Sequence, residues 1–111
     1  MTNRPELLDE SEIETIVSQS FQAPVLIFKH STRCSISSMA LNRLTGNSEP
    51  VDFYYLDVIA NRKISNLLAS RFAVHHESPQ VLMIVKGECV YEASHLEITS
   101  AEIAAQRAMF G

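Results

Sequence analysis

The chain has 111 residues, 46% hydrophobic and 20% charged, enough for one domain whose core needs no metal or disulfide staples. Its net charge of −4, and nine Lys and Arg residues that form no stripe, argue against nucleic acid or an anionic membrane as the main partner. No run of about 18 apolar residues exists to span a membrane, Met1 to Glu10 holds no apolar signal core, and two cysteines are too few for a secreted disulfide scaffold, so the expected compartment is the reducing cytoplasm.

Residues 1–8 read as a loose lead-in, with Pro5 barring an early helix, and residues 9–111 as a single domain. Ser11 and Glu14 have capping-box spacing, and Ile13, Ile16 and Val17 share one face, which predicts a first helix over about residues 11–20. After Pro24, the compact apolar run Val25-Leu26-Ile27-Phe28 predicts a strand buried on both faces and bounded by Lys29. His30 to Arg33 reads as a polar turn. Ile36, Ala40 and Leu44, with Met39 beside them, predict a second helix stopped by Gly46.

Val51 to Val58 is rich in aromatic and β-branched residues and predicts a strand. Ile64, Leu67, Leu68 and Phe72 mark the face of a third helix, roughly residues 61–72. A polar loop, Val74 to Pro79, leads to Val81 to Val85, wholly apolar and so expected at the sheet centre. Lys86-Gly87 is a turn, and Glu88 to Ala93 the returning strand of a hairpin. Thr99 and Glu102 repeat the capping-box spacing, Ile98 and Ile103 form a hydrophobic staple, and Arg107 suits the dipole late in this last helix.

The first two strands, joined by a helical crossover, should be parallel, and the last two antiparallel. A mixed four-stranded sheet, with or without a short fifth strand and with helices on both faces, is an α/β arrangement of the thioredoxin-like kind.

Cys34 falls between a buried strand and an amphipathic helix. Unpaired amides and the helix dipole at such a junction favour thiolate over thiol, the form that attacks a disulfide. Arg33 and His30 are close enough in sequence to add to this. Three residues on stands Ser37, which can donate a hydrogen bond to a thiolate but cannot form a disulfide, so the chemistry implied is monothiol. Without that setting, Cys34 reads as an inert small residue in a turn.

Ser78-Pro79 precedes the central strand, where thioredoxin-like proteins hold a cis-proline facing the cysteine, with the preceding backbone free to pair with a bound chain. Cys89 lies past the hairpin turn, roughly 20 Å of strand away from Pro79, so a half-buried structural role is expected and a disulfide with Cys34 is not. His75, His76 and His95 are expected near the cysteine end, either as proton donors to a leaving thiolate and parts of a substrate pocket, or as ordinary loop histidines. Their spacing suggests no metal site.

The segments Lys29-His30-Ser31-Thr32-Arg33-Cys34-Ser35-Ile36-Ser37, Tyr55-Leu56-Asp57-Val58, Arg62-Lys63-Ile64-Ser65-Asn66, His76-Glu77-Ser78-Pro79-Gln80 and Ala93-Ser94-His95 resemble the monothiol bacilliredoxin family of thioredoxin-like general stress proteins, over about residues 9–108. The resemblance implies removal of bacillithiol, a small thiol, from mixed disulfides on proteins, with bacillithiol a co-substrate and no bound cofactor. It implies Cys34 as attacking thiol, Ser37 in place of a resolving cysteine and Pro79 as the cis-proline. Arg33, His76, Ser78, Pro79 and His95 make up the expected substrate-binding set. Where many relatives have proline after the cysteine, this chain has Ser35, which bears on helix geometry and redox potential. Two other classes fit the same residues: a non-catalytic module binding extended peptides around Pro79, and an iron–sulfur carrier, which with one cysteine per chain needs a dimer and an external thiol.

Overall fold

The two wholly apolar runs of the sequence take the two interior places of the sheet. In the computed structural model, which describes residues 5–45 and 52–110, the elements are α1 (Glu12–Gln19), β1 (Val25–His30), α2 (Ser35–Thr45), β2 (Tyr54–Asp57), α3 (Arg62–Phe72), β3 (Gln80–Val85), β4 (Glu88–Ser94), a 3₁₀ turn (His95–Glu97) and α4 (Ser100–Phe110). The strand order is β2-β1-β3-β4. β1 runs parallel to β2 and antiparallel to β3, and β3 runs antiparallel to β4.

Side chains alternate across a strand, so each interior strand feeds two cores. Leu26, Phe28, Val81 and Met83 face α2 and α4, packing with Ala40, Leu44 and Ile103. Ile27, Leu82 and Ile84 face the other way, onto Ile13 and Ile16 of α1 and Ile64, Leu68 and Phe72 of α3. This is the mixed sheet with helices on both faces that the element order predicts. The hairpin turn has positive φ at both Lys86 (51°) and Gly87 (78°), the pairing that matches strand twist. Its two amides dock on Ser20 at the end of α1: Lys86 N–H donates to the Ser20 carbonyl and Gly87 N–H to Ser20 Oγ, each at 2.9 Å.

Several local expectations are corrected. The Ser11–Glu14 capping box does not form: Ser11 has helical dihedrals and caps nothing with its side chain. Glu12 instead accepts from the Leu8 and Asp9 amides, at 3.1 and 3.0 Å, while Glu14 pairs with Arg71 of α3. At α4 the serine-type half of the box holds, with Glu102 N–H donating to Thr99 Oγ1 at 3.2 Å. Its glutamate turns to Gln106, and Ile98 and Ile103 share one core as the staple requires. On α2 the buried positions are Ser37, Ala40 and Leu44; Ile36 is only half-buried and Met39 exposed, so the inward face is rotated toward Ser37. β1 continues through Lys29 and His30, both buried, where a strand end and a polar turn were expected. The 3₁₀ turn His95–Glu97 had no sequence signal. Gly46 and Val51, the expected helix stop and strand start, lie outside the described residues, as do the first four residues of the lead-in.

The rest of the lead-in is not loose. Glu6 forms a parallel bridge with Tyr55. Leu7 N–H donates to the Tyr55 carbonyl at 2.7 Å, and Tyr55 N–H to the Pro5 carbonyl at 2.8 Å. Leu7 is fully buried in the α1/α3 core. A single bridge thus stands beside β2, on the flank where a short fifth strand would lie. Replacing Leu7 by Ala is expected to lower the unfolding free energy by about 2–4 kcal/mol in urea titration. A change under about 0.5 kcal/mol, as at an exposed surface position, would show that this segment carries no part of the core.

Candidate active site

The antiparallel pairing of β1 with β3 aligns Lys29 with Gln80, and β3 with β4 aligns Gln80 with Ser94. The segments leaving β1, entering β3 and leaving β4 therefore meet at one end of the sheet. Those segments carry Cys34, Ser78-Pro79 and His95. His95, at φ 54°, donates its N–H to the Pro79 carbonyl at 3.1 Å, which ties the last of these to the second. The Ser78–Pro79 peptide bond is cis.

Cys34 is the residue immediately before α2. Its N–H closes a turn onto the Ser31 carbonyl at 3.1 Å, and its own carbonyl accepts the first helical bond from Ser38 N–H at 3.2 Å. That is the N-cap position; the first-turn amides of a helix have no partner within it. The thiol is free and partly exposed. Arg33 beside it is exposed.

Ser37 does not have the partner expected of it. It is fully buried, and its Oγ lies 2.6 Å from His30 Nδ1 and accepts from Ser31 N–H at 3.0 Å. Among the described residues the Cys34 sulfur is not one of its hydrogen-bond partners. The serine instead clamps the turn 31–34 from inside the core. Its partner His30 stacks on Phe28 at 5.9 Å between ring centroids, and burial pulls its protonation below the usual histidine range against the pull of Asp57.

On the other face, a second polar group sits under the Pro79 loop. Lys29 is fully buried, with its ammonium 2.8 Å from His76 Nδ1 and donating to Gln80 Oε1 at 3.2 Å. Ser65 Oγ of α3 lies 3.1 Å from the same His76 nitrogen. Burial and the nearby Lys29 charge both hold His76 below its ordinary value, so it serves as an acceptor for the lysine. His76 is thus tied inward to the lysine. His75 and His95 flank Glu77, at 3.7 and 3.9 Å from its carboxylate oxygens. Ser78 Oγ is buried without a hydrogen-bond partner among the described residues.

Cys89 aligns with Ile84, and Ile84 with Val25, at the opposite end of β1 from the turn that bears Cys34. Five strand residues separate those ends, roughly 17 Å, against the ~7 Å limit for a disulfide. Burial pushes the Cys89 thiol up to about 11, with Glu92 adding to the shift, and its sulfur donates to the Tyr91 carbonyl. Among the described residues no group of three or more His, Cys, Asp or Glu is placed to hold a metal ion, and no helix is long and apolar enough to cross a membrane.

Lys29, Gln80 and Ser65, which lie behind the site and hold the Pro79 loop, were not singled out in the sequence. The signal was available for Lys29 alone: extending the doubly buried strand by one residue places it on the face of Ile27. Desolvation lowers Lys29 from 10.5 to about 8, opposed by the charges of Glu77 and Glu92. Below pH 8 the lysine is charged folded and unfolded, and the full cost of burying it is present. Between pH 8 and 10.5 the folded chain has released a proton that the unfolded chain keeps, so stability rises with pH. The unfolding free energy of the wild type minus that of Lys29→Met should therefore grow by roughly 2 kcal/mol between about pH 7.5 and about pH 10 in urea titrations. A flat difference would contradict the buried, charged lysine.

Comparison with known proteins agrees with this geometry. A solved thioredoxin-fold protein, assigned provisionally as an oxidoreductase, is 30% identical, covers 92% of this chain and 91% of its own, and superposes with a TM-score of 0.79. The reduced thioredoxin pre-protein of Schistosoma mansoni, at 18% identity, covers 99% of this chain and 100% of its own with a TM-score of 0.70. The thioredoxin of Fasciola hepatica, at 14% identity, covers 96% of this chain and 99% of its own with a TM-score of 0.68. These last two share the fold alone. The family model described as monothiol bacilliredoxin matches residues 5–103. With its cysteine at the mouth of α2 and a thioredoxin fold around it, the chain belongs to the monothiol bacilliredoxin family of thiol oxidoreductases.

Proposed function

We propose that the protein is a monothiol reductase of protein mixed disulfides, acting through Cys34 with a low-molecular-weight thiol as co-substrate. The observation that carries this is the isolation of Cys34: a partly exposed thiol at a helix N-cap, with serine three residues on and the other cysteine at the far end of the sheet. A dithiol mechanism has no second sulfur within reach.

The Cys34 thiolate attacks the sulfur of the small-thiol cap. The client's sulfur leaves as a thiolate, taking up a proton from solvent, and the cap remains on Cys34 as a mixed disulfide. A second small thiolate then attacks the cap sulfur, giving the symmetrical small-thiol disulfide and restoring the Cys34 thiolate. Each step exchanges one S–S bond for another, and the electrons come from the small thiol. The family match supports bacillithiol as that thiol, and a reducing compartment such as the cytoplasm as the place of action. The unpaired Ser78 backbone beside the site supports docking of the client's extended chain. Arg33, which is exposed, and Glu77 supply charged groups at the rim for the cap or the client, and His95 is a polar one beside Glu77.

The test is transfer. A peptide capped with bacillithiol and the same peptide capped with glutathione are incubated with the reduced protein, and the adduct is located by mass spectrometry. The expected result is a cap on Cys34 and none on Cys89, with transfer lost in Cys34→Ser and retained in Cys89→Ser. Absence of transfer from both peptides would overturn the proposal and leave a peptide-binding module.

A further inference from the structure

The loop before Pro79 is built on a side chain that the redox chemistry does not use. Gln80, fully inside the sheet end, spreads its carboxamide beneath the loop. Its Nε2 donates to the His75 carbonyl at 3.0 Å. Its Oε1 accepts from Glu77 N–H at 3.4 Å and from the Lys29 ammonium at 3.2 Å. His95 N–H takes the Pro79 carbonyl from the other side. These bonds occupy the loop backbone on both sides of Ser78. Among the described residues nothing hydrogen-bonds to the Ser78 backbone itself. Its N–H and C=O are the pair that an antiparallel chain would need to exchange two hydrogen bonds with one residue.

Lys29 fixes the carboxamide. An amide can flip, exchanging its oxygen for its nitrogen, and in the flipped state both loop bonds are lost. The ammonium of Lys29, buried on one side of Gln80, is donor only, so it donates to the carboxamide oxygen and has no bond to offer the nitrogen. The same ammonium, with Ser65 Oγ, engages His76 Nδ1. One charge in the core therefore orients the glutamine and anchors the loop's histidine.

We propose that Gln80, oriented by Lys29, is the positioning residue that holds the Ser78 backbone ready to pair with the extended peptide around a client's capped cysteine. This rests on the reading of Cys34 as the attacking thiol, but it concerns the peptide and not the sulfur. A small disulfide with no peptide backbone should be indifferent to it.

The experiment measures reduction of a glutathione-capped peptide and of 2-hydroxyethyl disulfide by the full chain, with reduced glutathione as the electron donor that regenerates Cys34. Gln80→Ala is expected to raise KM for the capped peptide roughly tenfold, with kcat and the rate on 2-hydroxyethyl disulfide unchanged. Gln80→Glu, which keeps the oxygen bonds and loses the donor to His75, should give a smaller rise. An unchanged KM, or an equal loss on both disulfides, would overturn the proposal. Should Gln80→Ala fail to fold, Gln80→Glu and Lys29→Met decide it by the same split. Should the wild type show no transfer at all, binding decides: Cys34→Ser and Cys34→Ser/Gln80→Ala are titrated with the peptide carrying serine in place of its capped cysteine. Weaker binding by the second upholds the positioning role, and equal binding overturns it.

Discussion

The antiparallel pairing of β1 with β3 is the constraint on which the site depends. Both strands are apolar on both faces, so neither can sit at an edge without exposing a side to water. Their register sets Val25 against Ile84 and Lys29 against Gln80. It follows that the chain leaves β1 where it enters β3, and that the cysteine turn and the proline loop become neighbours although about forty-five positions apart in sequence. A parallel pairing would send them to opposite ends of the molecule. The α1–β1 and β3–β4 connections reinforce the register from the far end, where Ser20 receives both hairpin amides.

At the functional end the core does not stop at the last apolar residue. It is closed by a polar layer of Lys29, His30, Ser37, Ser65 and Gln80, all buried. Polar groups in such a place are costly unless bonded, and a buried ammonium more than any other. Each of them has a partner that belongs to a segment carrying a site residue. On the α2 side, His30 and Ser37 hold the turn that ends in Cys34. On the α3 side, Lys29, Gln80 and Ser65 hold the loop that ends in Pro79. The two halves share one strand and are carried by its adjacent residues, 29 and 30, which face opposite sides of the sheet. Buried polarity here serves geometry: it fixes two loops that have few apolar contacts of their own.

The same layout explains why the two cysteines differ. Cys34 is at the mouth of a helix and partly exposed. Cys89 is in a strand that packs against the α1/α3 core, and burial keeps it protonated far above neutral pH. The partly exposed thiol and the buried one thus stand at opposite ends of the sheet, and a serine, Ser37, stands three residues after the exposed one.

Most of the architecture was legible in the sequence because it rests on short-range patterns. The apolar runs Val25–Phe28 and Val81–Val85, the helical faces of α1 and α3, the Lys86-Gly87 turn and the strand-to-helix position of Cys34 are local, and period, length and turn chemistry determine them. The segments flanking Cys34 and Pro79 also sufficed to place the family. What the sequence could not decide was where the polar residues next to those runs would point. Lys29 and His30 read as a strand end and a turn, yet both are buried, because their environment comes from Gln80, His76 and Ser37 on other elements. Glu14 reads as a capping residue and pairs with Arg71 across to α3. Leu7 reads as part of a loose lead-in and is buried against β2. In each case the partner that decides the side chain's place lies on another element, and those partners are brought together only by the fold.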